Sequence, residues 1–447
     1  MSIETLKMSG FRNYKEKSLE FGPGVNVIWG ENGSGKTSTL EAIHILSVGK
    51  SFRTPRLQET IEESSPHARI VGVFISEKNK KEVTVSHSKD KRKKITINKA
   101  EVSPAEIFGQ NPIVLLSPEE QKITNGAPSD RRKYFDKTFS TTSKTYLQTI
   151  VDYTKTLKQK NALLKKQATN AELDTWDEKL AGLAATNWDQ KRELYRNYQA
   201  ELVEVCALYG NKEIKISVVS GVPDHTRETI FQALKKSRQK DIIYGHTTLG
   251  PHTDKPAVLY NQKDIRLFGS QGEHKISLVL IKLAEYQTVR KATQLTPTIL
   301  LDDLFATLDF ERSDAVLSLL EKNTQTIITN TDLVDIKNHG IKIDGKKKQK
   351  HSSASTMQEL KTAIANFLKK AGLEKGVSQN NALLIWKETV GEKVSQNTAP
   401  EKVESGTLYV KASSPTWRQE LVFKKADIIE KLNKQLGKNT IKEIKFI

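Results

Sequence analysis

Short apolar runs punctuated by glycine alternate with amphipathic helical stretches along this 447-residue chain. Val25 to Trp29 (V-N-V-I-W) has the length and character of a buried strand, and Ser38 to Leu46 reads as a helix. Thr298 to Leu301 is a β-branched and leucine run ending in Asp302 and Asp303, as a central parallel strand delivers acids to a sheet's C-terminal edge. Thr326 to Thr329 reads as a further strand, and Lys81–Val85 with Ile95–Asn98 as a hairpin. From 131 to 240 the pattern is helical and polar. Tyr146, Ile150, Tyr153 and Leu157 form an apolar stripe there, and Lys155, Lys158, Lys160, Lys165 and Lys166 lie around it. Past Gly269, a small-residue loop opens onto the apolar-periodic Ile276 to Ala284.

Beyond Asp344 the pattern changes. Residues 345–356 are rich in Lys and Ser, bury little apolar surface and read as a flexible linker. The remainder predicts helices over Ala363–Leu373 and Leu383–Val394, the second ending around Gly391. Then come Pro400, a strand over Thr407–Ala412, a helix carrying Trp417, Glu420 and Leu421, and a last strand over Ile441–Ile447. Trp386 and Trp417 sit in amphipathic repeats and are expected in the core.

Charge alters the picture most. There are 71 Lys+Arg against 53 Asp+Glu, a net +18, which favours a polyanionic partner. Residues 345–447 hold 20 Lys+Arg and 10 Asp+Glu, so the tail is the denser basic surface. The hairpin tip carries Lys89, Lys91, Arg92, Lys93 and Lys94, either a grip on DNA phosphates or a solvated turn guarding a sheet edge. One cysteine, Cys206, excludes an intramolecular disulfide framework and fits a reducing compartment; its helical setting reads as buried. No apolar run is long enough to span a membrane and no secretion signal is apparent, so a soluble cytoplasmic protein is expected.

The chemistry concentrates at residues 30–37, G-E-N-G-S-G-K-T, between the first apolar strand and its helix. This is a Walker A loop. Gly30, Gly33 and Gly35 let backbone N–H groups of a loop that includes Glu31, Asn32 and Ser34 curl around phosphate oxygens. Lys36 brings a positive charge to the β- and γ-phosphates, and Thr37 a hydroxyl for Mg2+. ATP with Mg2+ is the implied ligand. Asp302 is suited to hold the ion, and Asp303 to orient or deprotonate the attacking water. Ser270-Gln271-Gly272-Glu273, at the start of a helix, offer a second anion site without a Walker lysine.

Walker A, then the serine–glycine loop, then the acidic pair resembles the ABC-type ATPases of DNA maintenance, and more narrowly the RecF family. Phe11-Arg12-Asn13-Tyr14 is similar to that family's early strand motif, and Leu116-Ser117-Pro118-Glu119-Glu120 with Gly126–Arg132 to its characteristic insert. Gly250-Pro251-His252-Thr253-Asp254 is similar to its G-P-H segment, and Leu301 to Asp309 to its Walker B and D-loop, with Asp309 in the latter. The chain departs from the pattern at Lys255, where a second aspartate is usual, and at Glu273-His274, where a glutamine pair is usual. No histidine follows Thr329. The tail, with W-x-x-x-V-G, P, G-x-L-x-V and W-x-x-E-L over 357–447, resembles the KH-like domain of the DciA family of replicative-helicase operators. It lacks the G-x-x-G of a nucleic-acid-binding KH loop.

The resemblance implies an α/β fold: an ABC-type P-loop ATPase head with an inserted, mainly helical arm, plus a small C-terminal KH-like α+β domain. Its layout would be 1–130 and 241–344 as the two halves of the head, 131–240 as the arm, 345–356 as the linker and 357–447 as the DciA-like domain. It further implies an ATP-dependent homodimer acting as a clamp on single- and double-stranded, gapped DNA. RecR- and RecO-type mediators and RecA would be partners, and the tail would provide a link to the replicative helicase. Two readings stay open: a DNA-dependent ATPase of slow turnover, and a nonenzymatic, ATP-gated DNA and helicase adaptor acting mainly through the tail.

Overall fold

The computed structural model describes residues 2–76, 79–90, 93–166, 169–208, 213–302, 324–330, 339–342, 386–404, 407–436 and 441–446. Lys91, Arg92, Asp303, Asp309, the 345–356 linker and the Ala363–Leu373 helix lie outside them. Contacts divide the chain into two compact units, Met1–Leu360 and Lys361–Ile447.

In the first unit the chain runs β1 (Ser2–Phe11), β2 (Tyr14–Glu20), β3 (Val25–Trp29), α1 (Lys36–Val48), β4 (His67–Ser76), β5 (Asn79–Ser88), β6 (Lys94–Ile97), β7 (Ala100–Val102) and β8 (Ile113–Leu116). Next come α2 (Lys122–Asn125), α3 (Pro128–Thr142), α4 (Lys144–Lys165), α5 (Asn170–Leu208), β9 (Ile214–Val219) and α6 (Arg227–Tyr244). They are followed by β10 (Lys255–Tyr260), β11 (Lys263–Asp264), α7 (Ile265–Phe268), α8 (Gln271–Thr293), β12 (Thr298–Asp302), β13 (Thr326–Asn330) and β14 (His339–Lys342).

β3, β8, β12, β13 and β14 form a parallel sheet in the order β14-β3-β13-β12-β8. All five residues of β12 are buried, as the unbroken apolar run requires of a strand covered on both faces. β1, β2 and β4 to β7 form an antiparallel sheet, in which β4 alternates inward Ala68, Ile70 and Phe74 with outward residues. α1 packs between the two sheets and is buried almost all round, including Lys36, Glu41 and His44. Its approach to β4 is close: a Cβ at Gly72 would meet the Leu46 side chain at 2.5 Å and force it to shift.

The helical segment holds the expected apolar stripe, with Tyr146 in one buried cluster and Tyr153 in the next. Two features differ from expectation. Ile214–Val219 is a strand, β9, paired antiparallel with β10; its short I-K-I-S-V-V alternation is outweighed by the helical periodicity on either side. Lys160 is not on a solvated basic face. It is 1% exposed and held by Asp177 at 2.6 Å and Asp241 at 3.3 Å, because α4 turns it toward α5 and α6. Cys206 is buried, as expected.

The second unit runs α9 (Trp386–Val390), α10 (Glu392–Ser395), β15 (Thr398–Glu404), β16 (Thr407–Ala412), α11 (Pro415–Phe423), α12 (Lys425–Leu436) and β17 (Glu443–Phe446). β16 lies between antiparallel β15 and parallel β17. Trp386, Leu408, Val410, Leu421 and Ile444 build the core with Trp417 packed against it, so both tryptophans are structural. Pro400 lies within β15, a strand at the sheet edge whose register shifts beside the proline, the setting in which a strand tolerates one. Gly391 at φ +81° separates α9 from α10. Among the described residues no helix is long and apolar enough to cross a membrane.

Candidate nucleotide-binding site

The loop from Gly30 to Gly35 leaves the end of β3 and enters α1 through Gly35, whose φ is +102°. A Cβ on Gly35 would sit 2.4 Å from the Tyr14 hydroxyl, so the position needs glycine for backbone angle and for space alike. Lys36 is 6% exposed, and its ammonium donates to the carbonyls of Gly30 (2.8 Å) and Glu31 (3.0 Å), lying over the loop. Asn32, Gly33, Gly35, Lys36 and Thr37 line an open cleft of about 610 Å³. The Ser34 hydroxyl is buried with no hydrogen-bond partner among the described residues.

In the first turn of α1, the Thr37 hydroxyl donates to Asp302 Oδ1 at 3.0 Å, across 265 residues of sequence. Thr329 on the neighbouring strand β13 donates to the same oxygen at 2.7 Å. The parallel register fixes this meeting, since β12 and β13 pair Asp302 with Thr329. Thr37 and Asp302 thus place two hard oxygen donors beside the phosphate loop, the donor chemistry that suits a magnesium–nucleotide complex.

The sequence marks Arg12 and Asn13 only as part of a family motif and gives the opposite wall of the cleft no role. Arg12, Asn13 and Arg53 line it. Arg12 occupies the turn between β1 and β2 at φ +54° and grips the buried Glu41 of α1 through two hydrogen bonds of 2.8 and 2.6 Å. Ser51 donates to the same carboxylate, Arg53 lies 3.8 Å from it, and Asn13 donates to the Gly33 carbonyl at 3.2 Å. A non-glycine residue at positive φ is the trace this site leaves, and it cannot be seen without backbone angles.

Ser270 to Glu273 do not line that cleft. Ser270 caps α8: its hydroxyl accepts from the Glu273 N–H at 3.3 Å, while the Glu273 carboxylate accepts from the Ser270 N–H at 2.8 Å. The departure from glutamine at 273 therefore supplies a charged capping-box partner at the positive end of a 23-residue helix. Ser270, Gln271 and Gly272 face solvent. At the hairpin, Lys93 donates to the Gly49 carbonyl at 2.8 Å, and Lys94 pairs with Glu101 at 3.0 Å.

The G-P-H segment lies at the root of the helical region. His252 Nδ1 is 2.6 Å from the Tyr153 hydroxyl, and a Cβ on Gly250 would meet that hydroxyl at 2.3 Å. Both oxygens of Asp254 accept from Trp188 Nε1, at 3.1 and 3.0 Å. Burial pushes this carboxyl up to about 6 against the pull of Lys191.

The family described as "RecF/RecN/SMC N terminal domain" matches residues 2–361. The DNA replication and repair protein RecF of Clostridium perfringens (strain SM101 / Type A) is 34% identical over 344 residues, covering 75% of this chain and 94% of that protein. The chain belongs to the RecF family. The RecF protein of Clostridium novyi (strain NT) is 32% identical over 356 residues, covering 76% of this chain and 95% of that one. Among solved structures, the recombination mediator protein RecF-ATP in the RecFOR pathway has a TM-score of 0.71 at 31% identity, covering 76% of this chain and 95% of its own. RecF-family membership makes this chain an ABC-type ATPase. Residues 359–446 match a second family, described as "Dna[CI] antecedent, DciA", so this RecF-type chain carries a DciA-like C-terminus.

Proposed function

We propose that the chain is a RecF-type DNA replication and repair protein that uses ATP to close two heads on DNA. The observation that carries this reading is the hydrogen bond from Thr37 to Asp302 beside the glycine loop, which joins Walker A to the acidic strand. Backbone N–H groups of residues 30–35 and the Lys36 ammonium would take the β- and γ-phosphates. Thr37 and Asp302 would hold Mg2+, which supplies charge neutralisation at the phosphates. Asp303 orients the attacking water and accepts its proton as the bond from the γ-phosphorus to the ADP oxygen breaks. Ser270 to Glu273 of one head, away from their own cleft and with Ser270, Gln271 and Gly272 exposed, would meet the nucleotide of the other, and Asp309 would lie in the D-loop between them.

The basic balance supports DNA as the polyanion, with the hairpin tip from Lys91 to Lys94 and the tail as the places to test. The relatives' names support DNA replication and repair as its setting, and a neighbour's title placing RecF in the RecFOR pathway supports RecO- and RecR-type mediators; gapped DNA and RecA loading rest on the family resemblance of the motifs alone. The layout is head halves 1–130 and 241–344, arm 131–240, linker 345–356 and tail 357–447, with the tail linking to the replicative helicase. The test is ATP turnover with and without duplex DNA for wild type and Asp303→Asn. Slow, DNA-stimulated turnover lost in the variant supports the proposal; no turnover in any condition favours the adaptor reading.

A further inference from the structure

A buried ionic cluster lies on the helix that presents the Ser270 loop, and the ATP site does not use it. Lys282, on α8, has no exposed side-chain surface. Its ammonium is 2.8 Å from Glu120 Oε2, contacts Glu285 one turn along the same helix, and lies 5.0 Å from the centre of the Tyr134 ring on α3. Lys137, also on α3, reaches Glu285 at 3.4 Å. His44 of α1 is within the field of this cluster; burial first, and then Lys137, hold its imidazole down at about 3. Burial pulls the Glu120 carboxyl up, but the Lys282 ammonium and Lys137 overcome this and hold it at about 2.

Stability alone does not call for such a cluster. Well-packed apolar residues in place of a buried ion pair are often neutral or stabilising, because desolvation offsets the attraction. What ions add is a directional fastening with few alternative arrangements. Its location gives that fastening a use. Lys282 lies twelve residues along α8 from Ser270, about 18 Å at 1.5 Å per residue. Glu120 follows β8, whose Leu116 pairs with Leu301, the neighbour of Asp302. The cluster therefore bolts the helix that carries the Ser270 loop to the strand pair that ends at the Thr37–Asp302 site.

We infer that Lys282 is a positioning residue: through Glu120 it fixes α8 relative to the acidic strand, so that the Ser270 loop meets the second head correctly. The inference rests on the two-headed reading. Lys282→Met alone strands Glu120 without its partner and is expected to fold poorly. Two further variants avoid this: Glu120→Gln, which leaves Lys282 neutralised by Glu285, and the double variant Lys282→Met/Glu120→Gln, in which Glu285 keeps Lys137. Both should keep the wild-type melting temperature and bind a fluorescent ATP analogue within about twofold of wild type. ATP-dependent dimerisation by light scattering, and turnover, should each fall by roughly tenfold or more, the scale of a small misplacement of interacting groups. Wild-type dimerisation and turnover in these variants would overturn the inference and show the cluster to be packing only. Failure of the wild-type chain to dimerise with ATP would overturn the two-headed reading itself.

Discussion

Asp254 gives a prediction whose size follows from its surroundings. The carboxylate is 2% exposed, its oxygens share one donor, the Trp188 indole, and burial raises its pKa to about 6 from 3.8. The unfolded chain releases this proton near pH 4 and the folded chain only near 6. Between those values the folded state binds more protons, so stability falls as pH rises, and above 6 the penalty is complete at about 3 kcal/mol. Asp254→Asn keeps an acceptor for Trp188 and has no charge to desolvate. In urea unfolding followed by circular dichroism, the variant should gain on wild type by about 1.4 kcal/mol between pH 5 and pH 7.5, with no further gain above that. Parallel pH profiles, or a wild type that gains on the variant as pH rises, would refute the reasoning and mean that Lys191 and Arg132 outweigh burial at this site.

Three more outcomes are expected. Gly35→Ala combines a positive φ with a Cβ 2.4 Å from the Tyr14 hydroxyl, so nucleotide affinity measured by calorimetry should drop at least about tenfold. Lys160→Met removes the cation between buried Asp177 and Asp241 and should cost about 3–5 kcal/mol in denaturant unfolding, while ATP affinity of the folded protein stays unchanged. Cutting after Gly345 removes a segment with 20 Lys+Arg and 10 Asp+Glu, so the slope of log affinity for DNA against log salt should flatten while ATP binding persists.

Where chemistry is local, the sequence was readable. The glycine loop, its lysine and its threonine are neighbours in the chain, and the apolar run before Asp302 announces a buried parallel strand. β16 coincides with the expected Thr407–Ala412 because its alternation is strict and its flanks are polar. What could not be read depends on distant partners. Arg12 and Glu41 are 29 residues apart and meet only because a turn at positive φ aims the guanidinium at α1. Lys160 looks like any surface lysine until α5 and α6 bring Asp177 and Asp241 to it. Glu273 looks like a departure from the family pattern, yet as a capping partner of Ser270 it completes the start of α8.

The central claim is that ATP joins two heads through the Ser270 loop, and light scattering of the full chain tests it most directly. With ATP and Mg2+ the wild type should double in mass. Ser270→Arg places a bulky charge on the exposed start of α8, and should bind ATP with unchanged affinity yet stay monomeric. A wild type that remains monomeric with bound ATP, or a Ser270→Arg variant that dimerises as the wild type does, would contradict the account.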